Sequence, residues 1–184
     1  QEYVTRSYLA PERDAGDQRE AAALVYLAQL MGGSSFTSLM ARALTFDENI
    51  AVFSGASYDG ISLDDSSFTL TVAPVDGVTL REAEAAMDQV IANLMVTGID
   101  PEQFARIKTQ LSAAEIYARD DVQRLAQLYG SALTSGLTIE DVQQWPEILQ
   151  SITPEEVMDA AGRLFDIRQS VTQYVVRERE EALQ

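Results

Sequence analysis

Helix-start signals in the second half of the chain most constrain how it can fold. The segment TLRE at residues 79–82 is a capping box, in which the Thr79 hydroxyl accepts one free helix N–H and Glu82 reaches back to another. The same kind of local chemistry predicts four further helix starts, at Asp100, Asp120, Thr138 and Thr153. The second half is therefore predicted to be a series of separate helices, and most strands must come from the first half.

Short β-rich runs bounded by turn residues predict four strands. They cover residues 3–9, 50–58, 67–75 and 170–176. The middle two are separated by Asp59-Gly60 and Asp64-Asp65, which predicts a hairpin with a longer loop. Two helices are predicted between the first and second strands, at residues 14–31 with Asp17 as the cap and at 36–44.

This order of elements predicts an α+β fold with a mainly antiparallel sheet and helices packed on one face. Tyr117, Leu125, Leu128 and Tyr129 are assigned to the core because they fall on apolar helix faces. The chain has 184 residues, of which 46% are hydrophobic, and this is enough for one core. We predict a single domain over residues 1–176 and a charged, frayed tail over 177–184. The chain enters a strand directly after Gln1, so we expect it to be a fragment of a longer protein.

The chain contains no histidine and no cysteine, which excludes several kinds of catalysis. Zinc in proteins is held by His and Cys with carboxylates as helpers, so no zinc site is expected within the chain. A Ser-His-Asp triad and a cysteine nucleophile are both impossible. We therefore expect no cofactor in this chain and predict that the isolated chain has no catalytic activity.

The net charge of −16 comes from 29 acidic and 13 basic residues. Nucleic acids are bound through basic surfaces, so this balance argues against a nucleic-acid partner. No apolar stretch reaches the ~18 residues of a membrane helix, so no membrane span is expected. The acidic residues either solvate the outer surface or lie where they attract basic ligands.

The loop Gly32-Gly33-Ser34-Ser35 can be interpreted as a phosphate cradle or as a bend between two helices. A phosphate cradle follows a strand and carries a lysine at the start of the next helix, and neither condition holds here. A glycine that ends one helix and a serine that caps the next explain the same residues. Without further information, the bend is the favoured interpretation.

Two pairs of neighbouring carboxylates and the single tryptophan are the other candidates. Asp64-Asp65 and Asp120-Asp121 could bind a hard cation, but paired acids on loops are usually solvated and Asp120 also serves as a helix cap. Trp145 is assigned to packing in the core or at the end of a helix in preference to ligand stacking.

Several segments together resemble the non-catalytic, C-terminal domain of pitrilysin-type zinc peptidases, the family of insulin-degrading enzyme and mitochondrial processing peptidase. The resemblance is greatest to the short bacterial members and covers nearly the whole chain in the right order. The segments are SYLAPERDAGDQREAAALVYLAQLMGG, TSLMARAL followed by IAVFSGASYDG, FTLTVAPVDGV, TGIDPEQFARIKTQL and LYGSALTSGLTIEDVQQWPEILQSITPEEVMDAAGRLFD.

The resemblance implies a function that the residues alone do not. Members of the family pair similar α+β domains around a peptide chamber, and the zinc motif HxxEH lies in the first domain. This chain would then form part of the chamber wall, support the zinc-bearing domain and contact the peptide substrate. The alternatives are a scaffold module from a family member without peptidase activity and an unrelated acidic α+β binding domain.

The resemblance also implies a substrate-contacting loop. In the non-catalytic subunit of the processing peptidase, a glycine-rich loop handles substrate at the position of Gly32, Gly33, Ser34, Ser35 and Phe36. An Arg-Tyr pair that holds substrate at the zinc in many members would align with Thr45 and Val52, and neither residue can replace it. The loop is therefore predicted to contact substrate without a catalytic role.

The expected partners and location follow from the same resemblance. The partners are the N-terminal zinc-bearing domain of the same polypeptide, a second family chain in a homo- or heterodimer, and a peptide substrate. Zinc is expected in the upstream domain of the parent protein. Because short bacterial relatives are often exported, the periplasm is preferred to the cytoplasm.

Overall fold

Four antiparallel strands form one sheet in the order β2-β3-β1-β4. The structure, a computed structural model, describes residues 1–118 and 121–177. The strands are β1 (Tyr3–Ala10), β2 (Ala51–Tyr58), β3 (Ser66–Pro74) and β4 (Ser170–Val175). β2 and β3 form the predicted hairpin, and the last strand of the chain pairs with the first.

Alternation along the strands gives the sheet one covered face and one open face. On the covered face, Tyr8 of β1 pairs with Phe68 of β3, and both are buried. On the open face, Thr5 pairs with Thr71 and bonds to it through the two hydroxyl groups at 2.9 Å. The helices pack on one face of the sheet only, as the sequence predicted.

Six α-helices supply the helical layer of the described chain. They are α1 (Arg19–Gly32), α2 (Leu80–Thr97), α3 (Pro101–Ala118), α4 (Val122–Thr134), α5 (Ile139–Ser151) and α6 (Pro154–Leu164). α2, α5 and α6 each begin with a capping box, at Thr79, Thr138 and Thr153. The helix starts predicted from the sequence at these three positions are therefore present in the folded chain. Their capping side chains accept hydrogen bonds from helix N–H groups that have no other partner.

α1 is the central helix of the core. Its alanine-rich sequence brings it close to β2, and nine of its residues are buried, among them Leu24, Leu27 and Met31. Tyr26 stacks on Phe104 of α3, with ring centres 4.9 Å apart, and donates a hydrogen bond to the Leu149 carbonyl of α5. One helix thus holds the sheet, α3 and α5 together.

The region around α1 differs from the prediction at both ends. α1 begins at Arg19, and Gln18 occupies its N-cap without a side-chain cap bond, so the predicted start at residue 14 and the Asp17 cap are wrong. Asp17 instead bridges to Asp14. The second helix, predicted at 36–44, is a π-helix over Ala41–Asp47.

Fewer apolar side chains of α3 and α4 are buried than their sequence pattern predicted. Tyr117 is 73% exposed, so its assignment to the core is wrong, and Leu125, Leu128 and Tyr129 are only half-buried. α4 packs on α5 through a small separate cluster made of Ala132, Leu137 and Val142. The helix start predicted at Asp120 lies outside the described residues, and Asp121 caps α4 by accepting the Arg124 N–H.

Candidate functional site

The glycine bend is shaped by a close approach between α1 and β2. A β-carbon placed on Gly32 would lie 2.0 Å from the Ala56 backbone nitrogen, so no other residue fits there without a backbone shift. Gly33 closes the helix in an ordinary right-handed conformation and donates its N–H to the Gln29 carbonyl. Two adjacent glycines therefore meet a packing requirement and end α1, as the sequence predicted for a bend.

The loop after the glycines binds its own free N–H groups. The Ser34 hydroxyl accepts hydrogen bonds from the N–H groups of Phe36 and Thr37, at 3.3 and 3.2 Å. The carbonyl of Thr37 in turn accepts a hydrogen bond from the buried Gln103 side chain of α3. Since these N–H groups are already used, the geometry gives no support to a phosphate cradle.

An exposed aromatic pair joins this loop to the π-helix. Phe36 and Phe46 are 74% and 55% exposed, and their rings stack with centres 6.2 Å apart. π-Helices are rare in proteins, but those that do occur are often found at functional sites. Phe36 was predicted as a contact residue, but Phe46 was missed because its helix was expected to end at residue 44.

The two positions that align with the Arg-Tyr pair lie on the π-helix and on β2. Thr45 is on the π-helix next to Phe46, and Val52 is an exposed residue of β2 at a β-bulge. Phe53 follows Val52, is 52% exposed, and its ring lies against Gly55. At the two aligned positions Thr45 offers a hydroxyl but no cation, and Val52 offers an exposed apolar group in place of a tyrosine hydroxyl.

The open face of the sheet carries no charge. None of the four strands contains an acidic residue, although the chain has 29, and their only basic residue is Arg6 on the covered face. The open face is lined by hydroxyl groups, with Ser7 bonded to Thr69 at 2.9 Å beside the Thr5–Thr71 pair. The alternative in which the acidic residues lie where they attract basic ligands finds no support on this face.

Arg6 connects the covered face of the sheet to α2. It is 2% exposed, donates to Glu84 at 2.6 Å and forms a second ion pair with Asp88. Burial lowers the pKa of Arg6, but hydrogen bonds to Asp88 and Tyr8 outweigh this and raise it above its usual value. The guanidinium is therefore a permanently charged link between β1 and α2.

A second polar cluster holds the segment between β1 and α1 against α5. Arg13 donates from Nε and Nη2 to the Gln18 side chain, and Gln18 donates to the Asp141 carbonyl. Bonds from the Thr138 hydroxyl and N–H, together with the Gly16 N–H, lower the pKa of Asp141. The sequence showed Asp141 near a helix start but did not show that Gln18 links it to Arg13 in space.

The remaining candidates do not assemble into a metal site. Asp64 and Asp65 are exposed at the hairpin, and Asp121 serves as a helix cap. Across residues 1–118 and 121–177, the structure has no group of three or more acidic side chains placed to hold a metal ion. Within the same residues, no helix is both long and apolar enough to cross a lipid bilayer. Trp145 is 9% exposed and lies within α5, so its predicted packing role is confirmed.

The layered architecture and its site define a class: an α+β domain with one open sheet face and no metal site among the described residues. The family model described as the Peptidase M16 inactive domain matches residues 1–111, more than half of the chain. The chain therefore belongs to this family, the inactive domain of pitrilysin-type peptidases. The resemblance noted in the sequence is confirmed. No curated protein matches the chain at a significant level.

Solved bacterial structures share the fold at low sequence identity. The inactive peptidase domain of a candidate zinc protease from Bordetella parapertussis is 15% identical, with a TM-score of 0.85, and the match covers 100% of this chain and 95% of that one. A Helicobacter pylori protease is 17% identical with a TM-score of 0.84, covering 94% and 40%. The periplasmic protease PqqL of Escherichia coli is 14% identical with a TM-score of 0.68, covering 96% and 19%. The chain thus spans less than half the length of the Helicobacter pylori protease and of PqqL.

Proposed function

We propose that this chain is the non-catalytic domain of a larger zinc endopeptidase, in which it walls the peptide chamber and supports the zinc-bearing domain. The observation that carries the proposal is the open sheet face, which is uncharged and lined with hydroxyl groups in a chain of net charge −16. A face that is neither covered nor charged suits contact with peptides of varied sequence. The zinc would be held by an N-terminal domain of the same polypeptide.

Membership of the family supports this assignment, as does the short share of the Helicobacter pylori protease that the chain covers. By analogy with the family, we propose a second family chain as partner. The periplasmic location of PqqL supports export of this protein as well. The residues assigned to the domain are 1–176.

Substrate contact is proposed for the loop from Gly32 to Phe36, with Phe46 as a further contact. Gly32, Gly33 and Ser34 set the shape of the loop, while Ser35 and Phe36 are exposed at its tip. The stacked rings of Phe36 and Phe46 give an apolar surface for a substrate side chain, because large exposed apolar groups in a cluster mark contact sites. No catalytic residue is assigned to this chain.

The test compares loop variants in the complete parent protein. Replacing Phe36 and Phe46 with serine should raise KM for peptide hydrolysis about tenfold and leave kcat nearly unchanged, since binding and not chemistry is lost. Leu63→Ser is the matched control, because Leu63 is 71% exposed at the β2–β3 hairpin. An unchanged KM in the double variant would show that the loop does not contact the substrate.

The sequence upstream of Gln1 would distinguish a domain of a zinc endopeptidase from a scaffold module without peptidase activity. An HxxEH motif within about one domain length, ~150–200 residues, is expected for the endopeptidase. An upstream domain without that motif would contradict the endopeptidase proposal and favour the scaffold alternative.

A further inference from the structure

Arg13 is a buried cation that lines a cavity. This cavity is separate from the loop at Gly32 to Phe36 and from the open face of the sheet. The Arg13 side chain is 4% exposed, and its guanidinium lies 3.8 Å from the centre of the Trp145 ring. Among the described residues, no carboxylate lies within 4 Å of it, and its protein acceptor is the neutral side chain of Gln18. Burial lowers the pKa of Arg13 to about 10, so the group still carries its charge at neutral pH.

One nitrogen of Arg13 is available to a ligand. Nε and Nη2 both donate to Gln18 Oε1, at 2.9 and 2.6 Å, while Nη1 has no hydrogen bond to a described protein acceptor. The only fully enclosed side-chain nitrogen or oxygen without a partner in the described chain is Ser54 Oγ. Nη1 is therefore not fully enclosed, and Arg13 is one of the residues that line a cavity.

The cavity has the size and chemistry for one aliphatic residue. Its volume is about 180 Å³, and apolar walls come from Val25, Ile61, Leu128 and Val142. At ~30 Å³ per water molecule this corresponds to roughly six waters. Small-molecule sites typically combine such apolar walls with a few placed polar groups.

The cavity continues into a longer groove. Leu128 and Val142 line both the cavity and a groove of about 500 Å³ between α3, α4 and α5. The groove is further lined by Leu125, Tyr129 and Pro146. It gives room for an extended segment whose last residue enters the cavity.

Two carboxylates limit which anion can enter. Asp59 and Glu115 both line the cavity, so a ligand with several negative charges, such as phosphate, would be repelled. A peptide end carries a single carboxylate, so these two side chains repel it less than they repel phosphate. One cation beside two carboxylates therefore favours a peptide terminus over an inorganic anion with several charges.

We propose that this cavity binds the C-terminal end of a peptide that finishes in an aliphatic residue. The terminal carboxylate bonds to Arg13 Nη1, the last side chain packs between Val25 and Leu128, and the preceding residues lie along the groove. This site is distinct from the loop at Gly32 to Phe36, and it does not depend on the proposed function.

Trp145 makes the proposal directly measurable, because it is the only tryptophan in the chain and it lines the cavity. The 184-residue chain is titrated with N-acetyl-leucine and with N-acetyl-leucinamide while its fluorescence is recorded. The acid should give a saturable change, and the amide should bind at least tenfold more weakly, as expected for loss of a charge-assisted hydrogen bond. No saturable change, or equal binding of the amide, would overturn the proposal.

Longer ligands distinguish a peptide end from a free small acid. A hexapeptide ending in leucine should bind more tightly than N-acetyl-leucine, and its C-terminal amide should lose that affinity. If the hexapeptide binds no more tightly than N-acetyl-leucine, the groove takes no part and the peptide assignment is wrong.

Two variants test the residues assigned to the site. Arg13→Gln should abolish the preference for the acid over the amide, and Leu128→Phe should block the cavity without removing the buried cation. Arg163→Gln is the control, because Arg163 is an exposed arginine paired with Glu20. Thermal melting establishes that each variant is folded, and unchanged binding in a folded Leu128→Phe chain would contradict the assigned location.

Discussion

The backbone of Gly32 touches the backbone of Ala56, so closely that a β-carbon at position 32 would lie 2.0 Å from the Ala56 nitrogen. This contact joins the end of α1 to β2 at the first residue of the proposed substrate loop. The shape of the loop therefore depends on a missing side chain as much as on the side chains present.

Gly32→Ala is expected to destabilise the chain by about 3 kcal/mol, because both clashing partners are backbone and neither can move freely. The matched control is Gly130→Ala. Gly130 lies inside α4, where a β-carbon would meet nothing within 4 Å. This control should gain about 0.5–1 kcal/mol, since alanine is the better helix former. Urea unfolding measures both, and similar effects in the two variants would refute the close-approach explanation.

Arg6→Met is expected to cost about 2 kcal/mol of unfolding free energy. Removing one partner of a buried ion pair leaves the other uncompensated, although half-exposed Asp88 can regain water and reduces the loss. The control Arg163→Met breaks an exposed pair with Glu20 and should cost less than about 1 kcal/mol. Equal losses in denaturant unfolding would show that the Arg6 network contributes no more than a surface pair.

Asp141 is expected to make stability depend on pH in the acid range. Hydrogen bonds from Thr138 and Gly16 lower the pKa of Asp141 below its ordinary value of 3.8. A lowered folded-state pKa adds stability above the unfolded-state value, and this is lost as pH falls through the folded-state value. The stability difference between wild type and Asp141→Asn should therefore be largest near neutral pH and shrink below pH 3.8.

Thermal melts of both proteins between pH 7 and pH 3 test this expectation. Asp64→Asn, an exposed change at the hairpin, controls for general charge effects. A wild-type advantage over Asp141→Asn that grows toward acid pH would have the wrong sign and would contradict the assigned cause.

The chain is expected to retain no zinc and to hydrolyse no peptide. It contains neither His nor Cys, and carboxylates alone make poor zinc sites. Metal analysis after dialysis against zinc measures the first expectation, with the complete parent protein as the comparison. One zinc ion retained per chain would contradict this prediction.

The order of the elements could be predicted because each one begins or ends with local chemistry. Thr79, Thr138 and Thr153 each cap a helix within four residues of sequence, so no distant contact is needed to recognise the start. The alternation in β1 and β3 likewise predicted two faces. Asp17 failed as a cap because Gln18, held by Arg13 and Asp141, occupies the N-cap position.

The candidate site was predictable only in part. Phe36 followed from the loop and the family resemblance, while Phe46 was missed, because helical periodicity assumes the 3.6-residue turn that a π-helix abandons. The exposure of Tyr117 was also missed, since an apolar residue on a helix face does not reveal whether another element covers it.

The sequence by itself determined the α+β class, the order of strands and helices, and the absence of any His or Cys ligand, because these depend on composition and short-range pattern. Only the tertiary structure decided which sheet face stays open, and which backbone touches Gly32. It also decided that Arg13 lies over Trp145, 132 positions later in the chain. Such relationships depend on how distant elements pack, and no local sequence signal records them.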